Sequence, residues 1–369
     1  MAGKYIPCSE LTLSGLATIA DFEAQAHRVM TAGLFDAMFG AVGEGKGASG
    51  HNVAAFNALR FRPRVLRGAG SRSTATEVLG TPVALPVLLA PTGSQRRAHP
   101  DGEIATAHAA GGTGTLMVVS MSADYTLEAI ADEAAGPLWF QVYMLKDRGA
   151  IRELVDRAAA ASYRAIVLTV DLVGGRTTER RPLYTSGFDD PDAYPNFAWM
   201  EPARRPTPAN FPEVVEQNLR WSDVDWLRSV TSLPVVLKGI QTGEDANLAI
   251  EHGVDAIIVS NHGGHALSSA RATVDALPEV VDAIGGRLEV LMDGGVRSGA
   301  DVLKAVALGA RAVLIGRSLY WGLAAGGAEG LTRLLEILAE ELDSALGLCG
   351  LSTVSEADRS LLESHASRI

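Results

Sequence analysis

Residues 233–261 read LPVVLKGIQTGEDANLAIEHGVDAIIVSN, and this stretch decides the fold. Two nearly all-apolar runs, 233–239 and 255–261, flank an amphipathic helical pattern at 243–253. Runs without polar alternation are typical of strands that are buried on both faces of a parallel sheet. The stretch therefore predicts a strand, a crossover helix and a second, parallel strand.

The same unit recurs along the chain. From residue 83 onward there are eight apolar runs, at 83–91, 114–120, 138–143, 165–171, 233–239, 255–261, 289–295 and 311–316. Amphipathic stretches such as 147–162 and 298–310 lie between them. Eight repeats predict an α/β fold of the closed (β/α)8 TIM-barrel type, and a doubly wound open sheet is the competing interpretation. The strand count and the absence of a GxGxxG turn after an early strand favour the barrel.

Two regions fall outside the repeat. The whole chain, 1–369, is predicted to be one domain with an N-terminal helical cap (1–80), the barrel (81–321) and C-terminal helices (322–369). A long loop rich in proline, arginine and aromatic residues, from about 174 to 220, follows the fourth strand. A loop of that length is usually a functional lid or a mobile insertion.

Composition limits the classes of protein. Of the 369 residues, 47% are apolar and 20% are charged, which excludes a disordered chain. A net charge of −11 argues against nucleic acid or an anionic membrane as the main partner. Two cysteines, Cys8 and Cys349, cannot form a disulfide framework, so we expect a reducing cytoplasm. The N-terminus has no signal-peptide core and no apolar run is long enough to span a membrane.

Polar residues and glycines collect where the apolar runs end. In a barrel, active residues come from this end of the strands. The residues in question are Pro91, Thr92, Gly93, Ser120, Gln141, Tyr143, Thr169, Asp171, Lys238, Ser260, Asn261, His262, Asp293, Gly294, Gly295, Gly316 and Arg317. So many polar groups at the ends of buried strands predict a bound polar ligand.

The last two strand ends predict an anion site. Gly294, Gly295 and Arg297 precede a helix N-terminus, and Gly316 and Arg317 follow the eighth run. Glycine amides, arginines and helix N-termini all favour an anion, and barrels often hold a phosphate at this place. The alternative is a pair of ordinary tight turns with surface arginines.

His262 is the candidate catalytic base. It follows the sixth run, and Asp171 at the end of the fourth could orient its imidazole. Lys238 supplies a fixed positive charge in the same mouth, and Tyr143 can donate a hydrogen bond to a substrate oxygen. A structural histidine and a packed tyrosine are the alternatives. No cluster has metal-ligand spacing, so no metal is predicted.

Longer motifs in this chain resemble a known family. They are FRPRVL (61–66), LAPTG (89–93), AHPDGE (98–103), FQVYMLKDR (140–148), LTVD (168–171), WSDVDWL (221–227), LPVVLKG (233–239), VSNHGG (259–264) and IGR (315–317). From about residue 20 to 355 the chain resembles the FMN-dependent 2-hydroxy-acid oxidases and dehydrogenases, which include glycolate oxidase, lactate oxidase, mandelate dehydrogenase and hydroxymandelate oxidase.

The resemblance implies FMN as cofactor. By this resemblance the flavin ring or ribityl chain would contact Pro91, Thr92, Gly93, Ser120, Gln141 and Thr169. Lys238 and Ser260 would lie near the flavin N1 and O2 atoms, and Asp293 near the ribityl hydroxyls. The phosphate would be held by Gly295, Arg297, Gly316 and Arg317, and Gly294 would belong to the same cofactor-binding loop.

The resemblance also implies the reaction. His262 would be the base, Asp171 its orienting partner and Tyr143 a substrate-side hydroxyl. The base would remove a proton from a small-molecule CH–OH or CH–NH substrate while two electrons pass to FMN, which oxygen or another acceptor then reoxidises. Relatives are often tetramers, so a homo-oligomer is expected by analogy.

The substrate clamp departs from the family's pattern. The family's arginine three residues after the histidine is replaced by His265, and a second arginine slot aligns with Thr178. Ala37 stands where the family has a tyrosine. Neither histidine nor threonine reproduces the bidentate grip of arginine on a carboxylate, so the substrate is expected to differ from a simple small hydroxy acid and to be larger.

Three further points stay open in the sequence. A neighbouring arginine (Arg176, Arg180 or Arg181) could replace the missing clamp. Gly93, where many relatives carry alanine, is expected to leave extra room near the flavin. The competing hypothesis for function is a flavin-binding barrel that has lost or changed its oxidase activity.

Overall fold

Eight parallel strands close into a barrel within the part of the chain that the structure describes. The computed structural model describes residues 13–31, 34–35, 48–172, 193–267 and 269–363. The strands are β1 (Thr76–Val78), β2 (Thr81–Val83), β3 (Val87–Leu89), β4 (Met117–Ser120), β5 (Leu138–Val142), β6 (Ile166–Thr169), β7 (Val235–Ile240), β8 (Ala256–Val259), β9 (Glu289–Asp293) and β10 (Val313–Ile315). Strands β3 to β10 follow one another around the barrel, and β10 pairs with β3 to close it. Each predicted apolar run contains all or nearly all of one barrel strand, so the predicted TIM barrel is confirmed.

Helices connect most of the barrel strands. They are α1 (Ile19–Val29), α2 (Ala48–Ala58), α3 (Gly102–Gly112), α4 (Leu127–Glu133), α5 (Arg148–Ala160), α6 (Phe211–Val214), α7 (Trp221–Ser229), α8 (Gly243–Glu251), α9 (Thr273–Ile284), α10 (Gly299–Ala307) and α11 (Arg317–Cys349). Polar residues just before several helices fix where they begin. Asp147, Thr242 and Ser298 each accept a hydrogen bond from a backbone N–H in the first turn that follows.

The barrel interior is a packed apolar core. Each of the eight barrel strands contributes at least one residue to this core, among them Leu88, Val118, Trp139, Ile258 and Leu314. Alternate residues of the same strands, such as Leu89 and Phe140, face the surrounding helices. This two-sided burial explains why the strands are apolar without alternation.

An antiparallel hairpin closes the amino end of the barrel. Val78 of β1 and Val83 of β2 pack into the same cluster as the barrel interior. Leu79 and Gly80 form the tight turn with φ of +44° and +71°. The N-terminal segment contains the helices α1 and α2, and its division from the barrel as a helical cap stays a prediction. The hairpin was not predicted, because three-residue strands leave almost no periodic signal.

The segments after β6 and β10 differ in detail from the prediction. Residues 173–192 of the predicted long loop lie outside the described residues, and 193–220 contain α6 and short 3-10 turns. The long C-terminal helix, α11, begins at Arg317, inside the predicted barrel range. It is broken at Gly326 and Gly327, where Gly327 has a φ of +58°.

Candidate active site

His262 and Asp171 are hydrogen-bonded to each other at the carboxyl end of the barrel. Nδ1 of His262 lies 2.9 Å from Oδ1 of Asp171. His262 follows β8 and has a left-handed φ of +55°, and Gly263 and Gly264 continue the tight turn at +63° and +83°. This turn directs the imidazole across the mouth toward the end of β6.

The Asp171 carboxylate is ionised at neutral pH. Burial opposes its ionisation, but the hydrogen-bonded His262 and the nearby Lys238 together hold the pKa of Asp171 below its ordinary value. The carboxylate accepts from Nδ1–H, which leaves Nε2 of the imidazole as the atom that can accept a proton. Gly239 allows this packing, since a Cβ there would lie 2.6 Å from Cβ of Asp171.

Lys238 carries a buried positive charge beside this pair. Its Nζ lies 2.9 Å from Oδ2 of Asp293 and donates to Oγ of Ser260 at 2.8 Å. Burial disfavours the ammonium form, but the carboxylates of Asp293 and Asp171 raise the pKa of Lys238 above its ordinary value. The lysine is therefore charged, and three strand ends are joined through it.

Three predicted flavin contacts form one hydrogen-bonded row. Oγ of Ser120 donates to Oε1 of Gln141 at 3.1 Å, and Nε2 of Gln141 donates to Oγ1 of Thr169 at 3.0 Å. Ser120 ends β4, Gln141 lies near the end of β5, and Thr169 ends β6. All three side chains are buried. Their order fixes the orientation of the Gln141 amide.

Hydrogen bonds from two other side chains hold the loop after β3 in place. Nε2 of Gln95 donates to O and Oγ1 of Thr92, and the hydroxyl of Tyr320 donates to O of Gly93. The sequence expectation for Gly93 was wrong. A Cβ at Gly93 would lie 2.6 Å from the backbone oxygen of Ser122, so the missing side chain makes room for a neighbouring loop.

The two phosphate-loop candidates differ in what their arginines do. Gly294 and Gly295 have φ of +94° and +89°, and Gly316 immediately precedes α11. Arg317, in the first turn of α11, donates to O of Gly263 at 3.4 Å and so reaches the turn that carries His262. By contrast, the Arg297 guanidinium stacks on Trp321 at 4.7 Å and donates to O of Val296. The phosphate contact of Arg297 stays a prediction.

The mouth fits a ribityl phosphate and a flavin ring. Oδ1 of Asp293 is buried and has no hydrogen-bond partner among the described residues, although Oδ2 pairs with Lys238. A buried carboxylate oxygen of this kind needs a donor, and ribityl hydroxyls are donors. The glycine turns and Arg317 supply amides and charge for a phosphate.

Tyr143 lies beside His262 and contacts the aromatic residue Phe211, which in turn contacts Tyr194, and the sequence did not single out these two. The hydroxyl of Tyr143 lies 3.5 Å from Nε2 of His262. Phe211, in the insertion after β6, contacts the Tyr143 ring edge-on at 5.4 Å, and Tyr194 contacts Phe211 at 5.8 Å. The aromatic composition of the insertion was the available signal for these contacts.

Two predicted substrate residues have different outcomes. His265 is half-buried in the turn after His262, and its backbone N–H donates to O of His262 at 3.1 Å. Its ring lies near Gly263, because a Cβ built there would be 3.7 Å from Cδ2 of His265. Thr178 lies outside the described residues, as do Ala37, Arg176, Arg180 and Arg181.

A family model for FMN-dependent dehydrogenases matches residues 26–364. The chain belongs to the FMN-dependent dehydrogenase family. The predicted resemblance and the predicted FMN cofactor are therefore confirmed, and the protein is an FMN-dependent oxidoreductase. The individual cofactor contacts named above stay predictions.

Curated relatives and solved structures agree with this assignment. L-lactate oxidase of Nostoc sp. is 43% identical over 330 residues, covering 84% of this chain and 88% of the relative. Human 2-hydroxyacid oxidase 1 is 37% identical over 372 residues, covering 96% and 98%. A mandelate oxidase structure with (S)-2-phenylpropionate has a TM-score of 0.80 at 40% identity, covering 94% and 98%.

The described residues contain neither a membrane-spanning helix nor a metal-binding cluster. None of their helices has the length and apolar character that crossing a membrane requires. Within the same residues no group of three or more histidine, cysteine or acidic side chains could hold a metal ion.

Proposed function

We propose that this protein oxidises a 2-hydroxy-acid-type CH–OH carbon, or the corresponding CH–NH carbon, with His262 as base. The contact between Nδ1 of His262 and Asp171 at 2.9 Å carries the proposal. It supports a base whose other nitrogen faces the substrate. The names of the relatives, which include a lactate oxidase and a mandelate oxidase, support the substrate type.

Each residue of the mouth has a separate task in this proposal. Bound FMN supplies a two-electron acceptor. Nε2 of His262 accepts a proton from the substrate, and the Asp171 carboxylate stabilises the imidazolium that results. Tyr143 donates a hydrogen bond to the substrate oxygen, and the Lys238 ammonium stabilises negative charge on the cofactor side of the mouth.

The proposal includes an altered substrate choice. His265 occupies the slot in which the family carries a carboxylate-binding arginine, and an imidazole lacks the permanent charge and paired donors of a guanidinium. The contact of Phe211 with Tyr143 supports a substrate with an apolar or aromatic side chain, larger than lactate or glycolate. Oxygen or another acceptor completes the cycle.

A panel of substrates under anaerobic conditions tests the proposal. Hydroxy acids, their esters and amides, and the matching amines are mixed with the FMN-loaded protein, and bleaching of the flavin absorbance is followed. At least one compound should bleach it, with large apolar members faster than lactate. If the whole panel leaves the flavin oxidised, the binding-only hypothesis is correct instead.

The His262→Ala variant tests the role of the base. It should retain FMN and lose bleaching by at least about a hundredfold, the usual contribution of a positioned base. His108→Ala, at a half-exposed histidine on α3 that pairs with Glu133, is the matched control and should bleach normally. Equal loss in both variants would contradict the assignment.

Location and assembly stay predictions. A cytoplasmic location and a homotetramer are expected from cysteine content and family analogy. Fractionation of the native host and light scattering of the purified holoenzyme measure them directly.

A further inference from the structure

A residue from outside the barrel contacts the loops that follow β8 and β9. Asn52 of α2 is fully buried, and its amide forms a reciprocal pair with the amide of Asn261. Each Nδ2 donates to the other Oδ1 at 2.9 Å. We propose that Asn52 is a positioning residue that fixes the turn carrying His262 and the Gly294–Gly295 loop in one mutual geometry. The inference rests on the proposed function of His262.

The first half of this arrangement concerns the turn that carries the base. Asn261 directly precedes His262, and its Oδ1 also accepts from N of Gly264 at 3.1 Å. Nδ2 of Asn261 donates in addition to O of Arg271 at 3.0 Å. The Asn261 side chain thus stabilises the turn around His262, and Asn52 fixes that side chain through the two amide hydrogen bonds. A shift of the Asn261 amide would therefore move His262, the next residue, which has a left-handed φ.

The second half concerns the phosphate loop. Oδ1 of Asn52 accepts from N of Thr273 at 3.1 Å, and Oγ1 of Thr273 donates to O of Asp293 at 2.6 Å. A Cβ at Gly294 would lie 2.8 Å from Nδ2 of Asn52, and one at Gly295 would lie 2.6 Å from O of Asn52. The two glycines therefore lie directly against α2, and Asp293 is tied to the same amide through Thr273.

An amide is the side chain that satisfies all of these partners. Oδ1 of Asn52 accepts twice, from Thr273 and Asn261, while Nδ2 donates to Asn261. An aspartate of the same shape keeps the two acceptors but puts a carboxylate oxygen against Oδ1 of Asn261. An alanine leaves buried donors and acceptors without partners. Either change loosens both loops at once.

The experiment compares three variants of the full-length holoenzyme. Asn52→Ala and Asn52→Asp should each weaken FMN binding to the apoprotein by about tenfold, the usual effect of an unpaired buried polar group. Flavin reduction at saturating substrate should fall by a similar factor, with KM changed less than kcat. Asn57→Ala, at an exposed asparagine of the same helix, should leave the FMN dissociation constant and the reduction rate unchanged.

A double-variant cycle with Asn261→Ala tests the coupling. If the two amides act as one unit, Asn52→Ala with Asn261→Ala should be no worse than the worse single variant. Independent, multiplying effects on the FMN dissociation constant would overturn the proposal. A second outcome would also overturn it: Asn52 variants with a lower melting temperature but with an FMN dissociation constant and a reduction rate within about twofold of wild type. Asn52 would then stabilise the fold without positioning the two loops. Asn52→Asp preserves volume, so it serves if the alanine variant does not fold.

Failure of this inference is distinguishable from failure of the proposed function. If His262→Ala still bleaches normally, the role of the base is wrong, whatever Asn52 does. The FMN dissociation constants of the Asn52 variants still report on the phosphate loop in that case, since they require no turnover.

Discussion

Nε2 of His262 lies 3.5 Å from the hydroxyl of Tyr143, while Nδ1 of the same ring lies 2.9 Å from Asp171. The two ring nitrogens therefore face different partners, one an anion buried in the barrel and the other a phenol beside the insertion after β6. This division assigns the proton-accepting position to Nε2. It also makes the geometry of the imidazole depend on Asp171.

Asp171→Asn should slow flavin reduction by roughly a hundredfold to ten-thousandfold. The amide no longer stabilises a positive imidazole and can donate to Nδ1, which favours the wrong tautomer. Stopped-flow absorbance under anaerobic conditions measures the rate. Asp225→Asn is the control, since Asp225 pairs with His252 at 2.7 Å on the surface. An unchanged rate in Asp171→Asn would remove the carboxylate from the mechanism.

Glu103→Gln should flatten part of the pH dependence of stability. Burial, followed by the charge of Asp124, raises the pKa of Glu103 to about 8 in the folded protein. An acid with a raised native pKa contributes its full stability below its unfolded value, and this contribution is lost as pH rises through the native value. The wild type should therefore lose a few kcal/mol relative to Glu103→Gln between about pH 5 and pH 8.

Urea unfolding of both proteins at pH 5 and pH 8 measures this difference. Glu77→Gln, at an exposed position of β1, is the control and should follow the wild type at both values. A difference between Glu103→Gln and wild type that does not change with pH would show that Glu103 keeps its charge when buried.

Gly93→Ala should destabilise the holoenzyme and weaken FMN binding. The new Cβ would lie 2.6 Å from O of Ser122, so the loops after β3 and β4 must separate, at a cost of about 1–3 kcal/mol. Calorimetric melting and FMN titration measure both effects. Gly70→Ala, where a Cβ would meet nothing within 4 Å, is the matched control. Improved stability in Gly93→Ala would mean that the Ser122 loop moves freely.

His265→Arg should improve recognition of simple hydroxy acids. A guanidinium in this slot can bind a carboxylate with two charge-assisted hydrogen bonds, so KM for lactate or mandelate should fall by about tenfold or more. His265→Lys restores charge without the paired donors and should give a smaller gain. If neither variant lowers KM, other residues bind the carboxylate, and His265 is not the basis of the substrate choice proposed here.

The barrel and its mouth were predictable because their signals are local. A run such as AIVLTVD (165–171) shows by seven consecutive residues that its strand is buried on both faces. Asp171 lies two residues after the end of β6, and Lys238 lies near the carboxyl end of β7. Closure of the barrel then brings them together without further information. The contact of His262 with Asp171 could be expected on that ground alone.

Other features depend on contacts that no local pattern encodes. Asn52 meets Asn261 across 209 positions of sequence, and nothing in the polar pattern of α2 marks it. The guanidinium of Arg297 stacks on Trp321 of α11, a contact that the two preceding glycines do not encode. Its phosphate contact stays a prediction. The space at Gly93 is filled by Ser122, a residue of the next strand's loop. Side-chain direction is decided by tertiary packing in each case.

The amide pair between Asn52 and Asn261 also limits how this scaffold can be recombined. A chimera that takes only the turn after β8 from a relative keeps the α2 of this chain, so the turn loses the helix with which its asparagine pairs. Grafts designed to transfer substrate preference should therefore carry α2 with them as one inseparable module.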